Sequence, residues 1–461
     1  MSTTKVIFLI ENRLIFFKEM LLLRLSKKTK IFFTISTYML ISQRSTIRSW
    51  LVVIVSALFF FYIFVQINLI NSISGKLAQE FHLDARQLSS LFAYFAYGNL
   101  IFLFPAGIIL DRFSVSRSLL ISFIISIGAT FAFTVAPSLL AMKIARLIIG
   151  CTGAFSLLVS IKLAYNWLES HHIALAIGVI TTIGMFGGVI AQTPLSILVQ
   201  RYNWHIAIQL VACLGICLVA LQSIIISDKP RCFKISDNKE YIKSEKINFW
   251  RSLGTIIVNK QNWLSGIYMS LIGIPLPIFG GIWGIPYLTL VHNFSQIEAT
   301  AITSMIFVGM IIGSPLVGLI SDHLGIRKPL PIIGALLSIV IMIVIMFSPT
   351  MSLMLEMYLY CALGIAISSQ TIGYPIIAES NKRTLTATAT SFASFIVVSG
   401  NILTPFFGWL LDSHHKAQVT YIYDKADFIR ANYLLLISIV ISLIAAIMID
   451  ETYGKQFNRK S

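Results

Sequence analysis

The stretches "GIILDRFSVSR", Gly107 to Arg117, and "GLISDHLGIRK", Gly318 to Lys328, decide the fold of this chain. Each closes an apolar run, places Gly four residues before Asp, and carries a base six residues after that Asp. The offset of 211 residues that lays Asp111 on Asp322 also lays Gly153 on Gly364 and Thr193-Pro194 on Thr404-Pro405. One offset shared by three separated regions marks a tandem repeat.

The chain around these stretches is apolar. Of its 461 residues 57% are hydrophobic and only 12% charged, and the mean hydropathy is +0.84. A water-facing globule cannot hide that much apolar surface, so the composition points to a polytopic membrane protein. From Arg48 onward the apolar runs reach the roughly 20 residues a helix needs to cross a bilayer. Twelve are expected, at 48–74, 87–110, 118–136, 138–167, 172–200, 206–227, 262–291, 296–320, 329–348, 352–378, 386–411 and 430–450. They lack the alternation of a membrane barrel, so the expected class is all-α, twelve transmembrane helices in two pseudo-symmetric six-helix halves.

Lys and Arg set the orientation. Arg112 and Arg117, the basic stretch 228–261, Arg327 and Lys328, then Lys382 and Arg383 all follow even-numbered runs, which predicts cytoplasmic termini. The expected division is a basic tail 1–47, a half 48–227, a linker 228–261, a half 262–450 and a tail 451–461. The net charge of +16 then needs no nucleic acid, because tail and linker supply much of it as cytoplasmic anchors at the lipid surface. The first 38 residues break their apolar runs with charge and show no cleavage site; Met39 is an alternative start. The five cysteines sit in spans or, for Cys232, in the linker, and read as packing residues.

The Gly-Asp stretches resemble the loop signature of the major facilitator superfamily, G-x-x-x-D-R-x-G-R-R, with Ser114 where the family usually has Gly and His323 where it has Arg. The resemblance spans residues 48 to 450. It implies secondary transport of a small solute by alternating access between the halves, with no cofactor, no resident metal and a monomeric working unit. Gly107 and Gly318 are then close-approach points for helices. Asp111 and Asp322 are expected to pair with Arg117, Lys328 or bases on adjoining helix ends and so to bias the conformational equilibrium, with Arg112 and Arg327 of the same stretches counted among the gating residues.

Charges inside a span are functional suspects. On the fourth run Arg146 shares a face with Gly150 and Gly153 and resembles the family's R-x-x-x-G pattern; a cavity role binding a substrate carboxylate is the expectation, with an internal partner as the alternative. Lys143 lies nearer the outer end, where a lysine can snorkel. The segment "IKLAYNWL", with the fifth run "GMFGGVIAQTPLSILVQRYNW", is similar to the phagosomal nutrient transporters of intracellular bacteria, which implies Lys162 and Gln192 as functional positions and amino acids or nucleosides as substrates at the bacterial inner membrane. Lys162 is expected at the inner gate. Gln66, Asn68, Tyr94, Tyr97, Asn99, Trp283, Tyr287, Gln370, Tyr374 and Asn401 are candidates for the wall of a mid-membrane cavity by position.

An exporter of drugs or siderophores is the alternative on the same fold, weakened because Gly184-Met185-Phe186-Gly187-Gly188 lacks the Pro of the antiporter element. A sensor is a remoter one. An enzyme is not expected, since the His pairs are isolated and no phosphate loop is present. For the driving force, Glu356, His205 and Lys162 are the titratable candidates, and proton symport and facilitated diffusion both remain open.

Overall fold

A computed structural model describes residues 27–82, 85–228, 249–348, 351–412 and 425–454. The chain forms two compact units, 1–50 and 51–461, and the sites below all lie in the second. Among the described residues twelve helices are long and apolar enough to cross a membrane, from Thr46–Ile70 to Lys425–Met448. The fold is therefore the expected all-helical one. Residues 1–26, most of the linker and the tail beyond Gly454 are outside the described residues, as is Cys232.

Helix ends follow local chemistry. Ser114 and Ser138 cap the third and fourth spans, Val115–Thr134 and Leu139–Trp167, by accepting backbone N–H bonds. The eighth, Gln296–Leu324, starts on a reciprocal Ser295/Glu298 box and stops at Gly325, whose φ of 65° is the left-handed geometry glycine tolerates. The linker holds a helix that its polar composition had hidden, Phe249–Val258, directly before the seventh span.

Within each half, the second helix of the repeat lies against the fourth. A Cβ on Gly98 would sit 2.2 Å from the Leu147 carbonyl oxygen, and one on Gly309 would sit 2.1 Å from that of Cys361. Only glycine allows so close an approach, and 98 and 309 are related by the repeat offset.

The halves differ in continuity. The fourth span is unbroken and the fifth, Ile173–Arg201, runs through Pro194. The seventh is broken into Lys260–Ile272, a Pro275–Pro277 turn, a wide turn at Ile278–Ile282 and Gly284–Val291. The tenth is interrupted at Ser368–Ile372, and the eleventh divides into Thr386–Gly400 and Leu403–Asp412. Pro, lacking an N–H, and Gly, with its backbone freedom, account for the break in the seventh.

Candidate functional site

The halves meet where the second span, Ala85–Arg112, packs on the eleventh and the fifth packs on the eighth. Asp111 ends the second span. Its carboxylate accepts the backbone N–H groups of Ala387 at 3.1 Å and Thr388 at 2.8 Å, and the Thr388 hydroxyl at 2.6 Å. These are unpaired donors of the first turn of the eleventh span, where the helix dipole also favours an anion. Asp322, near the end of the eighth span, does the same for the fifth: Ala174 N–H donates at 3.3 Å and Leu175 N–H at 2.8 Å. Each half thus caps a helix of the other.

The glycines of the two stretches sit on the same contacts. A Cβ on Gly107 would meet Ser391 Oγ at 2.3 Å, and one on Gly318 would meet the Ala174 carbonyl oxygen at 2.4 Å.

Of the expected bases, Arg117 and Lys328 do not pair with the aspartates, and bases on adjoining helix ends do. Asp111 pairs with Lys162 Nζ of the fourth span at 2.5 Å, while Arg117 is exposed and uses its backbone N–H on the Ser114 hydroxyl. A base six residues downstream has passed the loop and begun the next helix, whereas Lys162 projects from the neighbouring helix. Arg112 is also exposed. Asp322 pairs with Arg327 at 2.6 Å rather than with the Lys328 side chain.

Arg327, 1% exposed, joins Asp322 to Glu379 of the tenth span, with Nη2 donating at 2.9 Å and Nε at 3.2 Å. Burial opposes its charge, but Glu379 and then Asp322 outweigh it and hold its pKa above the usual arginine value. Glu451 accepts the backbone N–H groups of Arg327 and Lys328, both at 2.7 Å, and Thr452 donates its hydroxyl to Glu379 at 2.5 Å. The sequence reading missed Glu379 and Glu451; both close apolar runs as acids, the same signal that marked Asp111 and Asp322.

Further along the seam Thr182 donates to the Ile311 carbonyl at 2.8 Å, and Phe104 packs on Phe392 and Phe395. Tyr97, two turns before Phe104 on the same helical face, is 56% exposed. Contact between the second and eleventh spans is thus made at the aspartate end, and Tyr97 at the level two turns on is uncovered.

Several expected cavity residues are occupied inside their own half. Arg146 is 1% exposed, donates to the Gln66 and Leu91 carbonyls at 2.8 and 3.4 Å, and lies over the Phe95 ring. This is the internal-partner alternative, reached because the Arg146–Gly150 face packs on the second span. Gln66 donates to Thr130 at 3.0 Å in the buried core of the first half. Tyr287 donates to the Ile345 carbonyl at 2.8 Å inside the second half, and Tyr374 meets Ser394 at 3.3 Å. Asn68 bonds the Phe64 carbonyl of its own helix, and Asn99 reaches the Gly150 carbonyl at 3.4 Å. Tyr94 lies beside Tyr97, with the Lys143 ammonium 5.5 Å from its ring centre. Trp283 packs on Phe407, and Asn401 is exposed at the break in the eleventh span. Gln370 is half-buried, its oxygen near Gly273. The Gln192 side chain is outside the described residues. His205 is partly exposed beside Glu80.

A profile of the Major Facilitator Superfamily matches residues 50–405. The chain belongs to the major facilitator superfamily. A hexuronate transporter of Bacillus subtilis is 24% identical over 150 residues, 32% of this chain and 35% of its own length. The chain thus spans only about a third of that relative. A probable galactarate/D-glucarate transporter of the same organism is 21% identical over 399 residues, 79% of this chain and 87% of its own. Among solved structures, the proton:xylose symporter XylE superposes with a TM-score of 0.68 at 15% identity, covering 90% of this chain and 98% of that one. At that identity the likeness speaks to fold.

Proposed function

We propose that this facilitator takes up a small polar solute bearing a carboxylate, by alternating access at the seam closed by Asp111 and Asp322. The observation that carries the proposal is the exchanged capping. Two helix N-termini, one in each half, receive their anion from the opposite half. Such contacts form in one arrangement of the halves and break in the other, which is what a gate needs. Lys162 belongs to this gate through Asp111.

The solute class rests on two converging arguments. The resemblance of "IKLAYNWL" to phagosomal transporters favours an amino acid or a nucleoside. The relatives at hand are named for sugar acids. A carboxylate is common to amino acids and sugar acids. Arg146, with its Nη2 left without a hydrogen-bond partner, and Lys143, one turn outward, give the fourth span the positive field that such a group requires. Asn68, Tyr94, Tyr97, Asn99, Gln192, Trp283, Gln370 and Asn401 are the polar groups proposed to line the path. In this reading both termini are cytoplasmic, the membrane is a bacterial inner membrane and the monomer is the working unit.

The test is uptake of labelled L-amino acids, D-glucuronate and uridine by proteoliposomes. Saturable entry of a carboxylate that slows severalfold in Asp111→Asn is the expected outcome. Entry of uridine alone would sink the carboxylate reading, and unchanged flux in both Asp111→Asn and Asp322→Asn would sink the gate.

A further inference from the structure

Three acids of the gate are matched to bases, Asp111 to Lys162 and Asp322 and Glu379 to Arg327. Near the start of the twelfth span Asp427 is matched to Arg430. Glu356 is different. It lies in the first turn of the tenth span, Leu353–Ile367, 3% exposed, and the ring it faces is that of His292, 4% exposed, in the segment after the seventh span. Histidine is a base that need not carry charge.

The hydrogen-bond network fixes the tautomer. Tyr287 has one hydroxyl hydrogen, and it is donated to the Ile345 carbonyl at 2.8 Å. Toward His292 Nε2, 3.1 Å away, the Tyr287 oxygen can therefore only accept, so Nε2 carries the hydrogen. In the neutral ring Nδ1 then presents a lone pair. It has no hydrogen-bond partner, and it faces Glu356 Oε1 at 3.7 Å. A carboxylate oxygen facing a buried lone pair that has no partner of its own is a costly arrangement while no proton lies between them. One proton on the carboxyl, donated to Nδ1, satisfies both and draws the pair to hydrogen-bond distance.

We propose that Glu356 and His292 form a binding site for a single proton, and that this is the coupling proton of the transporter. The proposal of coupling rests on the uptake reading above; the proton site does not. Burial lowers the His292 pKa below the usual imidazole value, with Lys425 adding to the effect, which favours the neutral ring and the carboxyl as the holder of the proton. The other groups around the pair do not compete for it. Tyr287 is engaged with Ile345, and Asp427 and Arg430 neutralise each other. Lys425 is exposed, and Glu298 is occupied by Ser295. Tyr360, one turn after Glu356 on the same face, is fully buried with its hydroxyl unpartnered, and is the neighbour toward the membrane interior.

The site can reach the transport path. Tyr287 belongs to Gly284–Val291, the outer piece of the broken seventh span, and Trp283 at the start of that piece packs on Phe407 and Gly408 of the eleventh. Tyr287 also packs on Phe428 of the twelfth span. Removing the proton leaves Glu356 and Nδ1 repelling each other, which pushes His292, Tyr287 and the outer piece away from the tenth span. Proton occupancy and the position of Trp283 are thereby linked.

Two measurements test this. Infrared difference spectra of the purified protein in lipid, titrated between about pH 5 and 9, should show a protonated-carboxyl band. That band should be absent in Glu356→Gln, which keeps the side-chain volume, and shifted in pH midpoint in His292→Gln. A titration with no band that depends on Glu356 overturns the proton site. The second measurement uses proteoliposomes with an imposed gradient of about one pH unit at zero membrane potential, which concentrates a one-proton solute about tenfold. Glutamate and D-glucuronate are the probes. Wild type should accumulate and exchange solute, and Glu356→Gln should keep exchange but lose accumulation. Accumulation by Glu356→Gln equal to wild type overturns coupling. A wild type that shows the band yet moves neither probe supports the proton site and sinks the carboxylate-uptake reading instead.

Discussion

The two ends of the seam use the same device with different reinforcement. At one, Asp111 caps the eleventh span and is held by Lys162, a flexible point charge 12% exposed. At the other, Asp322 caps the fifth span and is held by Arg327, a planar fork that is fully buried, fixed a second time by Glu379 and tied by its backbone to Glu451. Behind the first aspartate stands one flexible lysine of its own half; behind the second stands a network. The halves are alike in topology and unlike in stiffness, and in the gate proposed above the Asp111 contact is the one suited to break first.

Substitution of the glycines should break that comparison most severely. In Gly318→Ala the new methyl lies 2.4 Å from the Ala174 oxygen and 2.6 Å from its carbonyl carbon, which are backbone atoms of a capped helix and cannot step aside. In Gly107→Ala the two nearest atoms are Oγ and Cβ of Ser391, a side chain that can be removed, with the Ala387 carbonyl oxygen next at 2.9 Å. Spin labels at Glu169→Cys and His323→Cys should separate in Gly318→Ala, with transport lost. Labels at Arg117→Cys and Lys382→Cys should separate less in Gly107→Ala, and Ser391→Gly should restore most of the distance, the Ala387 carbonyl oxygen at 2.9 Å remaining. Equal, unrescued effects at both positions would make the ends equivalent.

The aspartates come next. Asp111→Asn weakens a cap that takes two backbone N–H groups and the Thr388 hydroxyl from the other half, a bias of about 2 kcal/mol against the closed seam. Asp322→Asn weakens a cap but leaves Arg327 on Glu379, for about 1 kcal/mol. Label distances across the two seams, read as open and closed populations, measure both. A larger opening in Asp322→Asn would reverse the ranking.

Smallest, Glu451→Gln with Thr452→Val should loosen only the arginine end, by about 1 kcal/mol. The expected signature is a faster exchange between states at the 169/323 label pair with the 117/382 pair unmoved.

The repeat explains why the bilayer-crossing plan was legible and its details less so. Span number, span bounds and the Gly-Asp stretches follow from apolar length and one offset, quantities local to the chain. Lys162 and Asp111 are 51 residues apart, and which helix end meets which depends on the packing register of the second span on the fourth, set by Gly98 and Gly150 against the backbone. His292 was passed over because it lies just outside an apolar run, and Glu356 was noticed without its partner. The breaks in the second half were written plainly. At the repeat offset, Gly273, Pro275, Pro277, Gly280 and Gly281 stand where the first half has Tyr62, Phe64, Gln66, Leu69 and Ile70. Read as one run, 262–291 hid them.

The strap made by Glu451 and Thr452 bears on how this protein is handled at the bench. An affinity tag or fluorescent reporter spliced in after Ile449 would discard both residues and leave the Arg327 and Lys328 amides without the carboxylate that serves them. The product would insert and fluoresce, because its twelve helices are untouched, yet its arginine end would be weakened. A junction placed after Gly454 keeps the strap whole, and comparing the two fusions separates a harmless label from one that retunes the machine.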